Sequence, residues 1–389
     1  MGVCPMPVDI EPLCQDLRNR RAETNANRMM LPEIRDRVRE SGVARIIQPR
    51  GHGGAGGPLK DIVEALTEIG AACGSSGWVI AQYVLHNYMV SQWPAEGREA
   101  VWGKDPKALV AGILVPSMGN YDVTDGGYLV SGRWQWVTGV DTCDWCMVTA
   151  YEQDKPGPET HRHFLLRRAE VDILDTWYAI GLKGSGTNDV ELKRAFVPNH
   201  LSLTMAELRG GESPGEQWRD NPLYLLPSYS IFGLGITSGA VGIAREISAE
   251  YNAIVSKKAS VMSEQRVADF SSQQIKFAEA KCAADSAVEI LRFAAGEFHA
   301  IASEEARAPS DLERSRCRAL ATFAGNTAMD SAKMIWDLSG ALSVLNSSVL
   351  GGLYTDLIVA NQHFTQNKDP NFKSYGRTLY CLPLDNLTL

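Results

Sequence analysis

Between residues 109 and 205 the period of the chain changes, and that change limits what the whole can fold into. Before it, residues 8–45 read as two charged amphipathic helices, with Leu31, Ile34, Val38 and Val43 at near-helical spacing. Residues 58–103 continue in the same way, with a stripe at Ile62, Leu66 and Ile69. Within 109–205, short β-prone runs are separated by turn signals at Asp125-Gly-Gly127, Lys155-Pro-Gly-Pro158 and Lys183-Gly-Ser-Gly186, and Val197-Pro198 closes the region. A polar loop with Gly210, Gly211 and Pro214 follows over 206–222. From Leu223 the chain reads helical nearly to its end, with Ala280, Ala283, Ala287, Ile290 and Ala294 along one face and a capping box at Ser310 and Glu313. The expected architecture is α+β and mainly α. It comprises an N-terminal helical domain over 1–108, a central β-domain over 109–205 and a C-terminal helical bundle over 206–389.

Composition narrows the class. The 389 residues are 44% hydrophobic and 22% charged, as in an ordinary globular protein with a sizeable core. A formal charge of −8 argues against nucleic acid as a main partner. No apolar run reaches the ~18 residues that a membrane span requires. Met1 to Asp9 lacks the basic and apolar blocks of a signal peptide, so a cytoplasmic location is expected. The eight cysteines are scattered, and Cys143 and Cys146 lack a second pair for zinc, so they read as core. No metal site is expected.

Three stretches invite a functional reading and have a plainer one. Gly132 to Trp145 holds three tryptophans and Thr138 in a β-prone run, the pattern of a sheet core. Arg45 to Gly57 is rich in glycine but is not followed by the Gly-Lys-Ser/Thr of a phosphate cradle, so it reads as a connector. Gly233, Gly235 and Gly239 fall in a helical run and read as close helix packing. His86 stands eight residues after Trp78, which opens a helix that Pro94 breaks or kinks.

Several of these segments, taken in order, resemble the acyl-CoA dehydrogenase fold from about Gln48 to Leu384. They are Gln48-Pro-Arg50 with its glycines, Trp136-Val-Thr138-Gly139, Gly181 to Val190 with Phe196-Val-Pro198, Ser339-Gly-Ala341, and Leu353-Tyr-Thr-Asp356. The resemblance implies a C-terminal four-helix bundle. One departure bears on function. The stretch Leu357 to Lys368, where most such dehydrogenases carry a carboxylate base, has no Asp or Glu and has His363 instead. With the Trp78…His86 spacing and the run from Asp369 to Leu384, this is similar to the oxygenase components of group D two-component flavin monooxygenases. That group includes the p-hydroxyphenylacetate hydroxylases, secosteroid hydroxylases and indole oxygenases.

The resemblance implies a chemistry and a set of residues. A separate NAD(P)H-dependent flavin reductase supplies reduced FAD or FMN, which reacts with O₂ to give a C4a-hydroperoxide that oxygenates a small aromatic substrate. Trp136 would pack on the flavin ring, Thr138 would reach its N5, Ser117 would contact flavin or substrate, and Arg266 would meet the phosphates. His363 would steer or protonate the peroxide, since an imidazole titrates near neutrality. Trp78 and His86 would line the substrate side, with His86 orienting or deprotonating a phenol or indole N–H. A homotetramer is implied as well. The competing expectations are an FAD-containing acyl-CoA dehydrogenase with its base on another helix, an N-oxygenase of an amino sugar, and a catalytically silent binding subunit.

Overall fold

The computed structural model describes residues 8–114, 119–209, 211–259, 265–386 and 388–389. The first part is helical: α1 (Glu11–Asn27), α2 (Pro32–Ser41), α3 (Leu59–Ala72), α4 (Gly74–Val90) and α5 (Ala95–Trp102). Every residue of α4 is buried. It begins four residues before Trp78, earlier than the sequence suggests. The small run Gly74-Ser-Ser-Gly77 lets its first turn lie against the end of α3, where a Cβ on Gly77 would come within 2.9 Å of the Gly70 Cα.

Among the described residues eight strands follow: β1 (Val110–Gly112), β2 (Gly119–Thr124), β3 (Gly127–Val137), β4 (Trp145–Glu152), β5 (Arg162–Arg167), β6 (Asp172–Leu174), β7 (Asn188–Pro198) and β8 (Ser202–Thr204). They join in the order β6-β7-β3-β2-β4-β5-β8, with β1 parallel to β4. The β2–β3 hairpin turns at Asp125 and Gly126, as its sequence suggests. The long β3–β7 pair carries a bulge between Trp134 and Val137. In an unbroken strand Trp134 and Trp136 would share one face. The extra residue breaks that alternation, so Trp134, Val137 and Thr138 are all buried while Trp136 is 56% exposed.

Beyond the sheet lie α6 (Met205–Leu208), α7 (Ser228–Val255), α8 (Ser271–Ser303), α9 (Asp311–Ser339), α10 (Val349–Ala360) and α11 (Lys368–Leu379). The capping box expected at Ser310 and Glu313 opens α9. Helix α7 crosses α3 where Gly70 meets Gly239: a Cβ on Gly70 would stand 2.3 Å from the Gly239 carbonyl oxygen, a clash no larger residue avoids. The glycines of α7 therefore serve packing, as their helical setting implies. One connected set of buried side chains runs from α1 through the sheet to α10. Cys143 and Cys146 are free and buried, with thiol pKa values raised by desolvation. Among the described residues no helix is long and apolar enough to cross a membrane, and no cluster of His, Cys, Asp or Glu could hold a metal ion.

Candidate active site

Helix α4, the bulged end of β3 and the turn after α10 enclose a cavity of about 510 Å³. Trp78, Gln82 and His86 reach it from one face of α4, spaced four residues apart. Trp136 and Thr138 enter from the bulge, and His363 from the turn after α10. Five residues singled out from sequence therefore meet in one place: Trp78, His86, Trp136, Thr138 and His363. Ser117 lies outside the described residues. Arg266 does not line the cavity; it precedes α8, exposed, with its guanidinium 2.7 Å from Asp269.

The bulge imposes a rare backbone on Trp136, with φ of +67°. A left-handed bulky aromatic costs about 1–2 kcal/mol and is found where surroundings hold it. The other tryptophans of that stretch are core, as its pattern suggests. Trp134 donates from Nε1 to the Thr149 carbonyl at 2.7 Å, and Trp145 lies under the Arg167 guanidinium. The Thr138 hydroxyl is 3.1 Å from that of Thr187, which also faces the cavity and is 2.6 Å from the hydroxyl of Ser185.

The two histidines flank one aromatic ring. His86 tilts against Phe232 with centroids 5.3 Å apart, and Phe232 stacks on His363 at 6.2 Å and 14°. Trp78 meets His363 edge-on at 5.6 Å. His86 is fully buried, and neither ring nitrogen makes a hydrogen bond of full geometry, the Val110 backbone interacting with the ring only weakly. Gly112 on β1 makes room for it: a Cβ there would stand 3.1 Å from His86 Nε2. The Nδ1 of His363 caps the next turn, accepting from the Thr365 amide at 3.4 Å and lying 2.9 Å from the Thr365 hydroxyl. With Nδ1 as acceptor, the hydrogen-bond network assigns the neutral ring's proton to Nε2.

Both imidazoles are neutral over the physiological range. Burial pushes His86 down to about 3, only slightly offset by the Val110 backbone. Desolvation, then the nearby Arg318 guanidinium and His86, push His363 down to about 3. The expectation that His363 titrates near neutrality is therefore corrected. His363 can donate from Nε2–H, but it is not an imidazolium at pH 7. His86 is likewise too weak a base to strip a phenol, whose pKa is near ~10, and can only share its proton.

Arg318, fully buried on α9, directs its two terminal nitrogens at neutral acceptors: the Tyr229 carbonyl at 2.5 Å, the Thr388 carbonyl at 3.0 Å and Asn371 Oδ1 at 3.5 Å. Its guanidinium lies 5.6 Å from the Phe364 ring, behind the cavity wall. Asn371 also donates to the Phe364, Thr365 and Asn367 carbonyls, which fixes the turn that carries His363.

Comparison with known proteins places this geometry. Residues 234–368 match the family model for the acyl-CoA dehydrogenase C-terminal domain. The chain is 27% identical to the flavin-dependent monooxygenase oxygenase subunit HsaA of Rhodococcus jostii (strain RHA1), over 96% of this chain and 98% of that protein. It is 28% identical to the oxygenase component of the FADH(2)-dependent resorcinol hydroxylase of Rhizobium sp. (strain MTP-10005), over 89% and 86% of the two. The crystal structure of 3-HSA hydroxylase from Rhodococcus sp. RHA1 superposes with a TM-score of 0.91 at 26% identity, covering 98% of this chain and 97% of that one. The chain has the acyl-CoA dehydrogenase fold and is similar, over nearly its whole length, to flavin-dependent monooxygenase oxygenase components.

The cavity suits a flat, polar-edged ring. Trp136 offers an uncovered indole at its edge, Trp177 and Leu182 form apolar wall, and the Thr138 and Thr187 hydroxyls offer hydrogen bonds. Sequence reading missed Gln82, Thr187, Trp177 and Phe232. Gln82 had a signal, standing midway between Trp78 and His86 at helical spacing. Thr187 had one, since it falls within the Gly181 to Val190 segment. Phe232 had none.

Proposed function

We infer that this protein is the oxygenase component of a two-component, reduced-flavin-dependent monooxygenase that oxygenates an aromatic substrate. A separate NAD(P)H-dependent reductase would supply the flavin. One observation carries the reading. The cavity joins an exposed tryptophan and a hydroxyl pair to two neutral histidines, and no carboxylate lines it among the described residues. An acyl-CoA dehydrogenase needs such a carboxylate to take a proton from its substrate. Asp356, the acid that immediately precedes the Leu357 to Lys368 stretch, is occupied elsewhere, accepting from the Leu182 amide at 2.6 Å.

Reduced FAD or FMN, when bound, supplies the electrons that activate O₂ for transfer of one oxygen atom. The rest falls to the protein. Trp136 would cover the ring, and Thr138, backed by Thr187, would hydrogen-bond its N5 edge. Apolar walls exclude water from the reacting groups. His363 would hold oxygen through Nε2–H, and His86, beside Trp78, would accept a hydrogen bond from the substrate. Ser117 remains a candidate contact for flavin or substrate. Arg266 would meet flavin phosphate only from a second copy of the chain, bidentate and permanently charged.

A homotetramer is part of this proposal. Ile275, Phe293, Phe323 and Tyr380 are exposed on α8, α9 and the end of α11, a pattern in keeping with burial against further copies. A cytoplasmic location belongs to the same reading. The FADH(2) dependence in the name of the resorcinol hydroxylase makes reduced FAD the first flavin to try. The decisive experiment mixes the purified protein, a flavin reductase, NADH, FAD and an aromatic substrate, and measures O₂ uptake with hydroxylated product. Coupled product formation that stops without the reductase is expected. Tightly held oxidised FAD, with electron-acceptor reduction by an acyl-CoA, would overturn the reading.

A further inference from the structure

We propose that the cavity selects an uncharged hydroxy- or N–H-bearing aromatic and rejects aromatics that carry a carboxylate or an ammonium group. This deepens the monooxygenase reading and rests on it for the reaction, though not for the binding. The cavity's described lining contains no Asp, Glu, Lys or Arg. Its two histidines are held neutral by burial.

Three charged side chains that touch the cavity's lining or backing residues are engaged elsewhere. Arg318 stands behind Phe364, with its two terminal nitrogens held by carbonyls and Asn371. Asp356 is turned to the Leu182 amide. Arg28 donates to the Trp177 carbonyl at 3.2 Å, but its charge is paired with exposed Asp175 at 2.8 Å. A carboxylate entering such a site loses its water and gains no counter-ion, which is strongly unfavourable. An ammonium group fares no better, which also disfavours an amino sugar. A neutral hydroxyl or N–H, in contrast, finds a partner waiting: His86, fully buried, with no full hydrogen bond at either nitrogen and only the Val110 backbone interacting weakly with the ring. A buried polar group left without a partner is costly, so a ligand that satisfies it is favoured over one that does not.

Matched probes test this without flavin. The pairs are 4-ethylphenol against 4-hydroxyphenylacetate, 3-methylindole against indole-3-acetate, and 4-ethylphenol against tyramine. Binding is followed by tryptophan fluorescence and calorimetry at pH 7. Each neutral member is expected to bind at least about 100-fold tighter than its charged counterpart, on the scale of an uncompensated buried charge. Gln362→Lys, on an exposed lining residue, should narrow or invert the preference for carboxylates, and Gln82→Lys gives a second, deeper placement. Equal or tighter binding of the charged members, or no saturable binding of any neutral one, overturns the proposal. If neutral probes bind selectively but yield no product with reduced flavin and O₂, the selectivity stands and the monooxygenase reading fails.

Discussion

The hydroxyls of Thr138 and Thr187 lie 3.1 Å apart, one residue beyond the facing ends of β3 and β7, and Ser185 extends them into a chain of hydroxyls. A hydroxyl flanked in this way has its proton directed by its neighbours, so Thr187 sets where Thr138 can point. Thr138→Val keeps the volume and removes the hydrogen bond, worth about 0.5–1.5 kcal/mol net. We expect a fold and melting temperature close to wild type, with several-fold more H₂O₂ released per product. Thr187→Val should show the same defect more weakly. Unchanged coupling in both variants would make this pair a strand contact and nothing more.

The two histidines should fail differently. His86→Ala should weaken substrate binding or hydroxylation while O₂ uptake by the protein with reduced flavin alone stays normal. His363→Ala should alter that substrate-free uptake. Hydrogen-bonding and acid–base assistance of this kind is typically worth about 10²–10⁴-fold, large enough to separate the cases in single-turnover product yields. Because both rings are neutral with pKa values near 3, neither variant should shift the pH profile between 5 and 8. Swapped phenotypes would mean that the two sides of the cavity have been assigned the wrong way round.

Trp136 separates strain from function. Its φ of +67° suits glycine and penalises other residues. Trp136→Gly should therefore be more stable than Trp136→Ala by about 1 kcal/mol, the reverse of the usual order in a strand. Both should lose affinity for reduced flavin alike. Denaturant midpoints of the two variants, measured side by side, decide the matter. A less stable glycine variant would show that this backbone relaxes once the indole is gone.

How far this site could be read in advance depended on the range of the interactions that form it. Trp78 and His86 share a helix face, and eight-residue spacing displays that in the chain itself. The exposure of Trp136 was hidden, because a regular strand would have buried it beside Trp134 and only the pairing with β7 creates the bulge. Thr187 meets Thr138 across 49 residues of sequence, through strand register that local pattern does not carry. Phe232 comes from α7 to stand between two histidines on other segments, which no spacing records. Arg318 was invisible for another reason. An arginine in a charged helix reads as solvated, and its burial appears only when the Tyr229 and Thr388 carbonyls close around it. Element order was easier, since each period persists over many residues.

Asp356 gives a pH test of stability. Burial pushes its carboxyl up from 3.8 to about 6, partly offset by the Leu182 amide, Arg21 and Lys183. Between those values the folded chain keeps a proton that the unfolded chain releases, so this group's contribution falls as pH rises and levels off above about 6. Asp356→Asn retains an acceptor for the Leu182 amide and removes the titration. Its unfolding free energy relative to wild type should rise across that window by roughly 2–3 kcal/mol. Urea denaturation at closely spaced pH values measures it. A difference that is flat or falling with pH would falsify the assignment.

The same carboxylate governs how the polypeptide can be taken apart. It stands on α10, accepts the Leu182 amide from the sheet segment, and packs against Gly74 at the start of α4, where an added Cβ would sit 2.6 Å from Oδ2. Each of those anchor points holds a piece of the cavity: Leu182 itself, Trp78 a turn beyond Gly74, and Val359 just beyond Asp356. Genetic dissection into modules, the usual way to map a chain of this length, would thus leave no fragment with half an active site. Shuffling the middle third between relatives should carry over strands but not specificity. What evolves here as a catalyst is the entire polypeptide, because the walls of its pocket belong to no single part of it.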